Sequence, residues 1–396
     1  MSEIEENSYS RNKLIDYLNL NPIDIEICDV TLRDGEQTPG VVFTKEEKMN
    51  ISNELDSIGV DIIETGFPVV SSDEKDTVKQ ISNMGLNART CCLSRALSSD
   101  VDSALDCGVD MVSIFVAMSD LHLIHKYHKS CEEMISCALD TIEYAKDHDL
   151  EVRFAAEDAS RTDINTLKNV FLRAESYGVD YVSLADTVGV LNPSTTYYLV
   201  NEINKSVDTP ICMHCHNDLG MATANTLMAA EAGAKQLHTT VNGIGERAGN
   251  AALEEVLMGL LVEYNINRYD TTLLTDLSRM VENYANITPP VNKAIIGKNA
   301  FSHESGIHVM AILENARTYE LFNPELVGGK RNLIVGKHTG IKALKGIVNS
   351  MGYSMEHDEL CRLKDKVKNC TDIKHGISRN RLEDMVREIK MQTSNT

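Results

Sequence analysis

The sequence predicts an α/β fold: a (β/α)8 TIM barrel followed by a smaller, mostly helical C-terminal region. Two observations carry this expectation. A Gly-Val-Asp phrase recurs at Gly59-Val60-Asp61, Gly108-Val109-Asp110 and Gly178-Val179-Asp180, with a looser copy at Gly233-Ala234-Lys235, each leading into a strand-like run. Glycine there suits a helix that ends in a left-handed residue and turns directly into a strand. Strand-like segments then fall near residues 24, 61, 86, 110, 151, 180, 210 and 236, with helical sequence between them. Eight such alternating units match a closed parallel barrel over residues 23–285. A doubly wound open sheet is the competing arrangement, but no glycine-rich dinucleotide or phosphate fingerprint follows the first strand.

The elements follow in order. Residues 1–22 form a polar N-terminal segment with one short helix around Lys13–Leu18. Ile23–Cys28 alternate with period two and give the first strand. The helix over Lys45–Ser57 opens at Thr44, with Glu47 at the capping-box spacing. Further strands are predicted at Ile62–Glu64, Leu86–Leu93, Met111–Val116, Glu151–Ala156, Tyr181–Leu184, Pro210–His216 and Gln236–Val241, and a helix over Leu219–Ala234. The character changes after residue 285, where Ile287-Thr288-Pro289-Pro290 breaks the pattern. Loops rich in Gly and His run on to Gly340, and helical periodicity returns at Ile341–Ser350, Met355–Asn369 and Arg379–Lys390. Residues 286–396 therefore read as a loop-rich connector and a helical subdomain, and long connectors in compact proteins tend to be functional.

Composition narrows the function classes. The 396 residues are 42% hydrophobic and contain no Trp, as expected of a globular chain. With 59 acidic against 38 basic residues the net charge is -21, which argues against nucleic-acid or membrane-surface binding and for a small soluble partner. Met1–Tyr9 is acidic and polar, unlike a secretory signal, and no apolar run approaches the ~18–20 residues that span a bilayer, so a cytoplasmic protein is expected. Ten Cys in such a chain read as reduced thiols, most of them small core residues. The pair Cys212-x-x-Cys215 falls on opposite faces of a strand and cannot readily share a metal.

Chemistry concentrates just past the strand ends, where barrel enzymes place their active sites. His214 and His216 stand two apart in a strand pattern, so both imidazoles point the same way. Taken alone they are equally well a hydrogen-bonded polar pair and a pair of metal ligands. Past strand 1 comes Thr31-Leu32-Arg33-Asp34-Gly35-Glu36-Gln37, past strand 5 Glu157-Asp158, past strand 6 Asp186-Thr187, and past strand 8 the stretch Asn242–Asn250. Barrel closure makes strands 7, 8 and 1 neighbours, so Asp34, His214, His216 and Asn250 can converge as an N/O ligand set with positions left open. Such a set suits zinc, manganese or, less well, magnesium. Singly, Asp34 also fits a turn residue and Asn250 a helix cap.

Three phrases together resemble the α-isopropylmalate synthase/homocitrate synthase family: Asp29-Val30-Thr31-Leu32-Arg33-Asp34-Gly35-Glu36-Gln37, His214-x-His216-Asn217-Asp218, and Gly243-Ile244-Gly245-Glu246-Arg247-Ala248-Gly249-Asn250. The resemblance continues through Phe301–His308 and Gly336-Lys337-His338-Thr339-Gly340, so it spans nearly the whole chain. It implies a Claisen-type condensation of acetyl-CoA with a 2-oxo acid, followed by thioester hydrolysis. On that resemblance a divalent ion on Asp34, His214 and His216 is a Lewis acid for the 2-oxo acid, and Arg33 stabilises the developing alkoxide. His308 and Tyr319, eleven residues apart, match the family's proton-abstracting pair, and Glu157 its active-site glutamate. Thr187 matches a residue that binds the substrate carboxylate, and Arg153 and Gln37 are expected at the same mouth. One departure is Ala155, which stands where homocitrate synthases of the lysine-pathway type carry Ser. Relatives are homodimers whose C-terminal region reaches over the partner's barrel, so His308 and Tyr319 are candidates to act in trans.

The 2-oxo acid is read from the same resemblance. The chain ends at Thr396 without the long regulatory domain usual in isopropylmalate synthases, which points to the compact homocitrate synthases. Ser119-Asp120-Leu121-His122 and the stretch from Tyr319 to Gly329 look most like archaeal enzymes that extend 2-oxoglutarate, some also its longer homologues, to give homocitrate and CoA. A distal carboxylate needs a cation or several donors once buried, and Arg95 and His122 are the candidates. The alternatives are 2-isopropylmalate or citramalate synthesis from 2-oxoisovalerate or pyruvate. A metal-dependent lyase or hydrolase on the same barrel is the rival from another class. Against it, the Gly243–Asn250 loop lacks the catalytic Cys of the related lyases, and strand 1 lacks the His pair of the hydrolases.

Overall fold

The computed structural model describes residues 9–10, 12–17, 23–336, 339–370 and 377–394. Residues 12–289 form one compact unit, and the described residues of 290–396, with Tyr9 and Ser10, form a second. The division falls inside the Ile287–Pro290 break.

The first unit is a closed barrel of eight parallel strands in sequential order, β1 (Glu26–Asp29), β2 (Ile62–Glu64), β3 (Arg89–Arg95), β4 (Met111–Ala117), β5 (Glu151–Glu157), β6 (Tyr181–Asp186), β7 (Ile211–Cys215) and β8 (Gln236–Thr239). β1 and β8 close the ring, with Glu26 opposite Gln236 and Asp29 opposite Thr239. Several strand bounds differ from expectation: β6 runs on to Asp186 and β8 stops at Thr239, and the largest shifts are at β1 and β3. β1 starts at Glu26, where Lys235 first offers its carbonyl, and β3 runs on to Arg95 because Arg95 still pairs with Phe115 of β4.

The helix-to-strand turns follow the glycine phrase. Gly59 and Gly108 cap their helices in the left-handed region at φ 91° and 71°, and Gly178 and Gly233 are also at positive φ. The helix Lys45–Ile58 carries the full capping box, Thr44 accepting from Glu47 N–H and Glu47 from Thr44 N–H. The helix after β7 is shorter than its sequence pattern, Ala222–Glu231, because Gly220 turns at φ 71° before it. At the N-terminus a 3-10 turn spans Lys13–Tyr17, and Leu18 of the predicted helix lies outside the described residues.

Strand alternation sorts the barrel into two layers. Phe154 of β5 faces outward and packs edge-on against Phe171 of the helix Ile164–Ser176, whereas its neighbour Arg153 is fully buried among polar groups of the interior. The two cysteines of the C-x-x-C part in the same way. Cys215 lies beside Thr226 of the outer helix Ala222–Glu231, while Cys212 lies within the field of Arg153 and Cys28. All ten cysteines are free thiols, six of them buried, and burial pushes that of Cys28 up to about 12.

The second unit is mostly helical. Gly306–Glu314, Ile341–Ser350, His357–Lys368 and Arg379–Ser394 pack around Val309, Leu344, Val348, Leu363 and Val386. The third helix starts later than its periodicity suggests because Glu356 and Glu359 form a capping box. Ser302–His303 (β9) and Asn332–Leu333 (β10) pair as a short parallel ribbon. Lys337 and His338 lie outside the described residues. Among those described, no helix is long and apolar enough to cross a membrane.

Candidate active site

At the C-terminal end of the barrel, β7 delivers His214, and His216 follows one residue past its end. Their alternation holds in space, with the two Nε2 atoms 3.3 Å apart. Asp34, just past β1, places Oδ2 3.6 Å from His214 Nε2 and 3.8 Å from His216 Nε2. The donor atoms of these three buried residues all lie within 4.8 Å of one another. Asn250 comes in from the loop after β8. Its amide donates to Asp34 Oδ1 at 2.8 Å and to the Ile244 carbonyl at 3.3 Å, while its buried Oδ1 has no partner. The loop approaches this closely because residue 245 is glycine: a Cβ there would stand 2.1 Å from Asn250 Nδ2 and 2.8 Å from Asp34 Oδ1.

The electrostatics prepare the same atoms. Burial alone would raise the Asp34 carboxyl, but Arg33 and His214 outweigh it and hold Asp34 well below the usual carboxylate range. Burial and the neighbouring His214 push His216 down to about 4, against the pull of Asp34. An ionised carboxylate, a neutral imidazole and an unpartnered amide oxygen are donors that fit a divalent cation.

Beside this cluster runs a buried line of alternating charges. Arg33 Nη1 donates to Asp34 Oδ2 at 2.7 Å, and its Nε donates to Glu64 at the end of β2. The other oxygen of Glu64 accepts from Arg153 Nη2. Arg153 also donates to Ser113 Oγ at 3.2 Å and Gln236 Oε1 at 2.9 Å, and stands 3.1 Å from His238 Nε2. Burial works against the Arg33 charge, but Glu64 and Asp34 prevail and raise its proton affinity.

These groups open into a cavity of about 340 Å³. Arg33, Asp34, His214 and His216 line it, as do the other expected residues Gln37, Arg153, Glu157 and Thr187. Arg153 sits deep, on Glu64, rather than at the mouth. Thr187 Oγ1 accepts from Asp158 N–H at 2.8 Å. Glu157 meets the Lys126 ammonium at 2.6 and 2.7 Å. Arg95 is spent on Asp100, with contacts of 2.8 and 2.9 Å and a half-exposed side chain. His122 lies behind Glu157, its Nδ1 3.6 Å from Oε1. His308 and Tyr319 belong to the second unit, where their rings stack at 3.9 Å between centroids. Glu64, Ser113, Ser183 and His238 share the cavity without an expectation that they would, and Glu246 and Arg247 of the phrase after strand 8 join them there. Glu64 carries the same signal as the others, since it is the last residue of β2 and barrel sites form at strand ends.

Comparison with known proteins agrees with this geometry. The HMGL-like family model matches residues 24–281, the whole barrel, and a second, homocitrate synthase post-HMGL domain-like, matches residues 295–375. The chain belongs to the HMGL-like family. A relative from Methanosarcina mazei named homocitrate synthase AksA is 67% identical over 99% of this chain and 97% of its own. A 2-isopropylmalate synthase from Methanocaldococcus jannaschii is 48% identical over 93% of this chain and 73% of its own. Among solved structures, the HMG-CoA lyase of Bacillus subtilis superposes with a TM-score of 0.63 at 21% identity, covering 68% of this chain and 97% of its own. That identity speaks to the barrel fold alone.

For this HMGL-like chain the buried imidazoles set a stability expectation. His216, at about 4, and His238, held well below its usual value by burial and Arg153, bind protons more weakly folded than unfolded. The unfolded state therefore gains protons first as pH falls, and stability is lost from the unfolded value of about 6.5 downward. The His216 share is at most about 3 kcal/mol. Burial raises the Asp29 carboxyl to about 7, so its proton uptake offsets part of this loss over the same window. The imidazole share is therefore read as a difference: in chelator-treated protein the thermal midpoint of wild type should lose ground to that of H238N as pH falls from 6.5 to 4. Parallel profiles of wild type and H238N across that window would mean that His238 is not held neutral.

Proposed function

We propose that the chain is a homocitrate synthase-type acyltransferase that condenses acetyl-CoA with 2-oxoglutarate and releases CoA. The observation that carries this is the Asp34–His214–His216 cluster with the Arg33 guanidinium bonded to it, in a cavity at the C-terminal end of an HMGL-like barrel. The relative at 67% identity supports the choice of acids.

A divalent ion held by Asp34, His214 and His216, with Asn250 Oδ1 alongside, would supply Lewis acidity to the 2-oxo acid carbonyl. Arg33 is positioned to meet the negative charge that develops on that oxygen. Two of its nitrogens are tied to Glu64 and Asp34, so its remaining edge is fixed in direction, as stabilisation of developing charge requires. Glu64 and Arg153 hold that orientation from below. Thr187 and Gln37, which line the cavity, would bind the substrate carboxylate, and Glu157 would carry a proton or orient the thioester. His308, stacked on Tyr319, is proposed as the base for the acetyl methyl proton, within a homodimer.

A second reading has its own support. Leu93, Phe115 and Ala155 give the cavity an apolar wall, which suits a branched 2-oxo acid such as 2-oxoisovalerate. The cations near by are engaged, Arg95 by Asp100 and Arg153 by Glu64. Metal-loaded protein with acetyl-CoA and each of 2-oxoglutarate, 2-oxoisovalerate and pyruvate distinguishes the two by release of CoA thiol. The highest kcat/KM is expected with 2-oxoglutarate. A preference for 2-oxoisovalerate would select the second reading, and no thiol with any of the three would sink both.

A further inference from the structure

The segment after β4 leaves regular helical geometry. Asp120–His122 begin as an α-turn whose cap, Ser119 Oγ, accepts from His122 N–H, and the chain then passes into a π-turn over Leu123–Tyr127. His128 closes it, donating to the Leu123 carbonyl five residues back at a left-handed φ of 53°. Because a π-turn closes five residues on, positions i+4 and i+5 both return to the face of position i, and such turns gather at functional sites. Position i is His122, and Lys126 and Tyr127 are i+4 and i+5.

All three converge on Glu157. Lys126 Nζ donates to Oε1 at 2.7 Å and Oε2 at 2.6 Å, the Tyr127 hydroxyl donates to Oε2 at 3.3 Å, and His122 Nδ1 stands 3.6 Å from Oε1. The ammonium also lies 5.9 Å from the ring centre of Phe115, which shares the cavity lining with Glu157. The plain alternative is a surface ion pair of little consequence, since the Lys126 side chain is 43% exposed. Against it stand the engagement of both carboxylate oxygens and a distorted turn that brings two consecutive side chains onto one acid.

We infer that Lys126 is a positioning residue for the reaction, fixing the Glu157 carboxylate toward the cavity from the rim. This rests on the role proposed for Glu157. A free glutamate side chain explores many rotamers, and a displacement of about 1 Å at a reacting centre can cost a hundredfold in rate. Clamping both oxygens removes that freedom before substrate arrives.

The test uses full-length, metal-loaded protein and thiol release, with K126M, K126R, E157Q and the K126M/E157Q double variant. K126M should lower kcat on the order of tenfold and leave KM for the 2-oxo acid within about twofold. K126R should recover most of the loss, and K126M should cost nothing further in the E157Q background. An unchanged kcat in K126M, or an equal fractional loss in both backgrounds, overturns the inference while leaving Glu157 in place. E157Q at the wild-type rate would instead overturn the role of Glu157 and leave Lys126 nothing to act through.

Discussion

Replacing Asp34 or His214 with alanine should abolish bound divalent metal and turnover together. Each removes one donor from a set whose atoms lie within 4.8 Å of one another. Lewis-acid activation is worth several kcal/mol, so turnover should fall by roughly a thousandfold or more. The two variants also differ in a useful way. D34A releases Arg33 and Asn250 as well, because Asp34 Oδ2 accepts from Arg33 and Oδ1 from Asn250. H214A removes a nitrogen and leaves those contacts alone. Metal content after gel filtration, read beside thiol release, separates the two effects. N250A should be milder, about 10- to 100-fold in metal affinity, as for a group that orients as much as it binds. Full metal occupancy in both D34A and H214A would place the ion elsewhere.

The sequence made the barrel legible because its signals are local. A glycine that must turn left-handed after a helix is visible in four places, and each stands at positive φ in the structure. Period-two spacing likewise put His214 and His216 on one side, and barrel closure brought Asp34 beside them. Depth along a strand is a different matter. Arg153 reads as a residue near the mouth, but it is the third residue of β5 and lies buried on Glu64, below Glu157 at the strand's end. Glu64 itself follows two isoleucines, and its meaning depends on two arginines from β1's loop and β5 that no sequence window contains. Arg95 shows the opposite failure. It stands at a strand end as expected, yet Asp100, five residues on, takes its guanidinium. Lys126 gave no signal at all, because a π-turn has no hydrophobic period of its own to read.

The second large effect is expected at Arg33, where charge and geometry can be pulled apart. R33K keeps a cation beside Asp34 but loses the planar fork. An ammonium cannot donate to Glu64, donate to Asp34 and still present a fixed third edge to substrate. We expect kcat to fall about 100- to 1,000-fold in R33K, the range for losing one preorganised donor to a developing oxyanion. Metal content should hold, because Arg33 donates to Asp34 and is not one of the clustered donors. E64Q offers the converse case. It leaves Arg33 in place but removes the buried anion between two arginines, so the guanidinium loses its anchor and Arg153 its counter-charge. E64Q should lower kcat by less than R33K, and in the R33K background it should add only what the loss of the Arg153 counter-charge costs. Comparable kcat in R33K and wild type, with thiol release intact, would show that charge alone suffices at this position. The line from Arg153 through Glu64 would then serve the stability of the barrel interior rather than the reaction.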